Sequence, residues 1–160
     1  MEEKCKELYQ KIMNEVDYLT PEEWSEVWMY GEVLPDSSNA YYYYKSKQMK
    51  EMVCCMKIPE KFNIEIMKFI NDLNRLMNLF ENLNKVFKEE GQQVWSSLNM
   101  YFNESGQFKV NFSYEDIVNS DFSLNARHDI WEYEVLKKEP ESTRSKNVIK
   151  RYLEQKKLEN

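Results

Sequence analysis

One histidine, His128, three cysteines, Cys5, Cys54 and Cys55, and many scattered carboxylates are the side chains here with the means to carry acid–base, nucleophilic or metal chemistry. An enzyme needs a nucleophile beside its base, a metal cluster or a phosphate cradle, and each leaves a spacing in the sequence. No Ser or Cys motif flanks His128, which falls in a helical stretch, so it reads as a surface or packing residue. Cys54 and Cys55 are adjacent, and on a strand they would face opposite sides, unable to share one tetrahedral metal. With no CxxC pair and an odd count, the cysteines read as reduced thiols, in keeping with a cytoplasmic protein. Glu115 and Asp116 form a carboxylate pair with the valence to share a proton or hold a divalent ion, but adjacent acids after an aromatic strand more often face solvent or cap the next element. Three glycines leave almost no material for a phosphate loop, and neither GxGxxG nor HExxH occurs. No catalytic residue, metal ligand or cofactor is assigned. The catalytic alternative is a hydrolase built on Glu115, Asp116 and His128, whose activity would depend on metal or pH.

Binding leaves clearer marks. The net charge of −6 and pI near 5.0 argue against direct contact with nucleic acid or an anionic membrane and for a basic protein partner. Residues 1–36 hold ten acids against three lysines, a local balance of −7, while the remaining 18 acids and 19 bases nearly cancel. Glu22, Glu23, Glu26, Glu32 and Asp36 are therefore candidates for a partner-binding surface, against the plainer reading of a solvated face kept for solubility. The run Tyr41 to Tyr44 adds to it: alternate rings of a strand face opposite ways, so two belong to a core. The other two, Tyr41 and Tyr43, belong to the outer sheet face, either as a plain half-exposed strand or as part of a protein interface. Glu115 and Asp116 join the candidate surface.

The elements that must position these residues follow from periodicity. Apolar residues at Cys5, Leu8, Tyr9, Ile12, Val16 and Leu19 step by three and four, which predicts a helix over 2–18. Trp24 to Leu34 alternates as a strand, with Val27, Met29, Gly31 and Val33 on one side and Trp28, Tyr30, Glu32 and Leu34 on the other. PDSSNA, 35–40, is a turn leading into Tyr41–Tyr44, and Met52 to Ile58 is a third strand closed by Pro59. From Asn63 to Gly91 the period is helical, with a stripe broader than a coiled-coil seam, so packing on the sheet is favoured while dimerisation stays open. Two more strands, Leu98–Phe102 and Phe108–Tyr114, flank the NESG turn, and helices are expected over 126–137 and 143–157. The expected fold is α+β: an antiparallel sheet of about five strands in two hairpin segments packed on a long central helix, with an N-terminal helix and C-terminal helices. A single domain over 1–160 is expected, with 142–160 a peripheral helix or tail. No run of about 18 apolar residues occurs, and the opening MEEKCKELYQ is charged and amphipathic, unlike a signal peptide.

Several spaced signatures carry a family likeness: LTPEEWSEVWMYGEV (19–33), YYYYK (41–45), IPEKFNI (58–64), FKEEGQQVWSSLNMYFNESGQFKVNFSYEDI (87–117) and SDFSLNARHDIWEYEVL (120–136). Together they resemble the YezG-like immunity proteins over about residues 5–155. The resemblance implies no catalysis. It implies a cytosolic antitoxin that caps the toxic C-terminal domain of an LXG-type or related nuclease effector exported by a type VII secretion system. The positions it carries over are Trp24, Tyr44, Trp95, Gly106, Tyr114, Asp116, Arg127, Trp131 and Tyr133, most of which read as framework residues. The VCC stretch and the basic C-terminal tail depart from the family pattern. A non-catalytic regulatory or scaffold module that adds a peptide strand to an open sheet edge is the rival class.

Overall fold

The computed structural model describes residues 1–159, which form two compact units, Met1–Ile117 and a second beginning at Val118. The first is an α+β layer: α1 (Glu2–Leu19), β1 (Trp24–Val33), β2 (Ser38–Ser46), β3 (Met52–Cys54), a 3-10 turn (Cys55–Lys57), α2 (Ile58–Lys61), α3 (Ile66–Glu89), β4 (Ser97–Asn103) and β5 (Phe108–Ser113). The five strands form one antiparallel sheet in the order β3-β2-β1-β4-β5.

Both long helices lie on one sheet face. The stripe of α3 buries Phe69, Leu73, Leu76, Phe80 and Leu83, and its 24 residues extend about 36 Å, enough to cross the strands. Phe80 sits over Gly31 of β1 so closely that an added Cβ would lie 2.9 Å from its ring, which is why the strand has no side chain there. On α1 the ring of Tyr9 lies 5.1 Å from Phe108 of β5, and Ile12 and Val16 are fully buried. The strand residues sharing this face, among them Val27, Met29, Tyr42, Tyr44, Leu98 and Met100, complete the core. Arg75 of α3 ties the two helices, donating to Glu15 at 2.8 Å and stacking 4.9 Å from the ring of Tyr18.

Two expectations about the strands are corrected. The turn after β1 is tighter than PDSSNA: Leu34 N–H donates to the Ser37 carbonyl at 2.8 Å, and Ser38, Asn39 and Ala40 already belong to β2. The third strand spans three residues and does not reach Ile58. Past the Tyr44–Val53 pair the ladder would next join Tyr42 to residue 55, but there the thiol of Cys55 accepts the Tyr42 N–H at 3.4 Å. The chain then coils into α2, whose first turn holds Pro59, a residue without the N–H a ladder needs. The two thiols are therefore not sent to opposite sheet faces, and the neighbouring Cys54 together with burial pushes the Cys55 thiol up.

The second unit is a helix pair, α4 (Leu124–Leu136) and α5 (Thr143–Glu159), so 143–159 is helical. Ser123 caps α4 by accepting the Ala126 N–H at 3.2 Å, and Lys137 ends it in the left-handed region at φ 58°. Asp129 of α4 pairs with Arg144 of α5 at 2.7 Å, and Glu134 with Lys156 at 3.4 Å.

Candidate functional site

Of the residues singled out in the sequence, the sheet face opposite α1 and α3 carries Glu26, Glu32, Tyr41 and Tyr43, and antiparallel register arranges the side chains of this face in rows. One row runs Cys54, Tyr43, Trp28, Tyr101, Lys109; the next runs Tyr41, Tyr30, Asn99, Asn111. Alternation assigned Tyr41 and Tyr43 to this face, but their expected half-exposure is corrected: both are 7% exposed, and Tyr41 stacks on Tyr30 with ring centroids 5.1 Å apart.

Glu32 needs the same correction. It is wholly buried, accepting from the Tyr30 hydroxyl at 2.7 Å and from Asn39 Nδ2 at 3.3 Å. A carboxylate withdrawn from water in this way keeps its favourable energy through such hydrogen bonds rather than by facing a partner. Glu22 is half-buried and already engaged, accepting from the Tyr44 hydroxyl at 2.6 Å and the Ser46 hydroxyl at 2.8 Å. These bonds latch the α1–β1 connection onto β2. Burial, then the bond to Glu22, pushes the Tyr44 phenol far up, so it stays a donor.

Glu23 and Asp36 are exposed but lie beyond opposite ends of the ten-residue β1, about 30 Å apart along the strand, so the five N-terminal acids form no single patch. What the sheet does gather is a strip at the Trp24 end. Glu26, half-buried, accepts from the Tyr101 hydroxyl at 2.7 Å, and the ring of Trp28 lies 5.7 Å from that of Tyr101 at 53°. Burial followed by the Glu26 bond raises the Tyr101 phenol, which keeps it protonated as the donor to Glu26. Glu104 reaches the same end through its N–H to the Ser25 carbonyl at 2.9 Å and holds Lys47 at 3.0 Å. Two half-exposed rings beside Glu26, with Glu104 and the exposed Glu23 around Lys47 at the same strand end, leave a net negative, ring-bearing strip that suits a basic protein surface: Trp and Tyr supply contact area at low entropy cost, and the acids supply complementary charge.

Trp28 and Tyr101 were not singled out in the sequence. Alternation had put Trp28 on this face, but Tyr101 joins it only through a β1–β4 pairing 73 positions away, which no local pattern encodes. Glu115 and Asp116 are exposed after β5, outside any element. His128 stands in the second unit beside Glu132 at 3.9 Å, with burial pulling its imidazole below its ordinary value. That unit also holds a polar cavity of about 230 Å³ lined by Asp129, Glu132, Glu139 and Glu141 with Lys138 and Ser142. Among the described residues no three His, Cys, Asp or Glu side chains converge as a metal set, and no helix is long and apolar enough to cross a membrane.

The positions brought by the family likeness are mostly framework. Trp24 packs edge-on against Phe102 at 5.3 Å, Trp95 is buried against Phe87 and Phe112, and Gly106 turns the β4–β5 hairpin at φ 86°. Arg127 donates to the Phe122 carbonyl at 2.8 Å, Trp131 is buried and Tyr133 half-buried, whereas Tyr114 and Asp116 are exposed.

Comparison with known proteins agrees. Residues 5–150 match the family described as immunity protein YezG-like. The immunity protein YezG of Bacillus subtilis (strain 168) is 30% identical over 147 residues, covering 92% of this chain and 97% of that protein. The protein of the same name from Bacillus spizizenii is 29% identical over 150 residues, covering 94% and 93%. The type VII secretion system protein EsaG of Staphylococcus aureus is 31% identical over 149 residues, covering 93% and 91%.

Proposed function

The chain belongs to the YezG-like immunity protein family, and from that membership we propose that it binds and neutralises the toxic domain of a cognate secreted effector inside the producing cell. The effector is a type VII substrate, a reading supported by the name of the staphylococcal relative, and its toxic domain is a nuclease with a basic cleft for phosphate. The two units act together as one immunity domain, in keeping with a family match that runs through both.

The observation that carries the mechanism is the strip of Trp28 and Tyr101 bordered by Glu23, Glu26 and Glu104. An acidic, ring-bearing surface laid over a basic cleft excludes the substrate by occupation. Opposite fields also hasten encounter, by about 10- to 1000-fold at low salt. Inhibition by contact needs no turnover, no cofactor and no metal.

Co-expression with the toxin encoded beside this gene tests the function: the chain should restore growth, and a purified 1:1 mixture should lose nuclease activity. Reversing Glu23, Glu26 and Glu104 together should weaken binding and flatten its dependence on salt. Unchanged affinity with an unchanged salt slope would remove the strip from the interface, and recovery of housekeeping partners instead of a secreted toxin would favour a scaffold module.

A further inference from the structure

The far strand of the sheet, β5, is an open edge whose backbone phase can be read. Asn103 N–H donates to the Gln107 carbonyl at 3.1 Å, and Tyr101 stands opposite Lys109 and Asn99 opposite Asn111 in that same phase. Antiparallel alternation therefore turns the N–H and C=O of Lys109 and Asn111 toward β4, and those of Phe108, Val110 and Phe112 outward. After Ser113 the chain bends back to Ser96, whose hydroxyl donates to the carbonyls of Ser113 and Glu115 at 3.2 and 2.8 Å, so residues 113–115 turn toward β4 and not along the outer edge of β5, the last strand of the sheet. The side chains of Phe108, Val110 and Phe112 are each only half-buried. Edges of this kind are usually guarded by proline, a bulge or several charges, and β5 carries Lys109 alone.

We propose that this edge pairs with β5 of a second copy of the chain, antiparallel about a twofold axis through Val110. In that register Val110 meets the second copy's Val110 and Phe108 meets its Phe112, so every outward backbone group of one strand faces one of the other. The core-side apolar row continues across the join. On the opposite face Lys109 stands across from the second copy's Asn111, an ammonium beside an amide oxygen, with no like charges opposed. Centring the axis on Lys109 instead would oppose two lysines, and centring it on Asn111 would pair Phe108 with Tyr114, beyond the strand. A six-residue edge buries less than a standard interface of about 1,600 Å², so the association is weak, on the order of 0.1 mM.

Sedimentation velocity of the full chain from low micromolar to sub-millimolar concentration tests this. The expected result is a reversible monomer–dimer equilibrium. Val110→Pro removes an outward N–H and leaves the ladder to β4 intact, so it should weaken the dimer at least about tenfold, while exchange of the half-buried Val110 side chain lowers the melting temperature by only a few degrees. Asn111→Asp sets a carboxylate across from each lysine and should tighten the dimer several-fold at low salt, a gain lost at high salt. Should Val110→Pro not fold, Asn111→Asp decides alone. A chain monomeric throughout the range, or a dimer indifferent to both substitutions, overturns the proposal. A monomeric chain whose Val110→Pro form loses toxin binding also overturns it, and gives the edge to a strand of the toxin.

Discussion

The hydroxyl of Tyr44 donates to the carboxylate of Glu22 at 2.6 Å, joining the loop before β1 to β2, the second strand of the first hairpin. Ser46 adds a second donor to the same carboxylate at 2.8 Å. Truncating Glu22 to Ala leaves the fully buried Tyr44 hydroxyl without its acceptor and should cost about 1–3 kcal/mol in urea unfolding. Glu23→Ala, at an exposed neighbour, should stay within about 0.5 kcal/mol, which makes Glu23 the cleaner probe of binding.

Alkali should unfold the first unit. Burial pushes Tyr9 up to about 12 and raises Tyr42 and Tyr44 well above the ordinary phenol value. The folded state holds these protons while the unfolded chain releases them near pH 10, so stability is complete below pH about 10 and falls as pH rises beyond it. The slope steepens with each phenol that keeps its proton in the folded state over that window. Circular dichroism of urea unfolding from neutral pH to about pH 11 reads the loss, and replacing Tyr9 with Phe should reduce its slope.

Gly31 permits the approach of α3. An added methyl would lie 2.9 Å from the Phe80 ring, so Gly31→Ala should destabilise by about 1–3 kcal/mol. Pairing it with Phe80→Leu should recover part of that loss, and a double-mutant cycle on melting curves would show a coupling that independent sites lack.

Trp28→Ala should lower toxin affinity by about tenfold or more, as expected for a half-exposed ring at the centre of the proposed interface. Tyr101→Phe keeps the ring and removes only the bond to Glu26, so it should cost less. Calorimetric titration against the purified toxic domain separates the two. An equal loss in both would place the binding energy in the hydroxyl rather than in the rings.

Much of the fold was legible in the sequence, since each long element obeys its own period. The α1 stripe through Cys5, Ile12 and Val16, the alternation of β1 and the broad stripe of α3 were all readable, and the turn at Gly106 was marked by its residues. The end of β3 was not. Met52 to Ile58 has strand-like residues, but a buried thiol takes the place of the next ladder acceptor, and that depends on the position of Tyr42. The candidate surface was legible by face and not by depth. Alternation put Trp28, Tyr30, Glu32, Tyr41 and Tyr43 on one side, but which of these reach solvent is set by tertiary packing. Glu32 and Asp36 stand four residues apart with the same charge, and one lies inside while the other is open to water.

The brevity of β3 limits how this protein can assemble. Its three residues give way at once to a helical turn, so the sheet offers one long template and no matching second one. Copies joining through β5 consume each other's template and stop at two, whereas a sheet equally long at both margins would admit a third molecule and then a fibre.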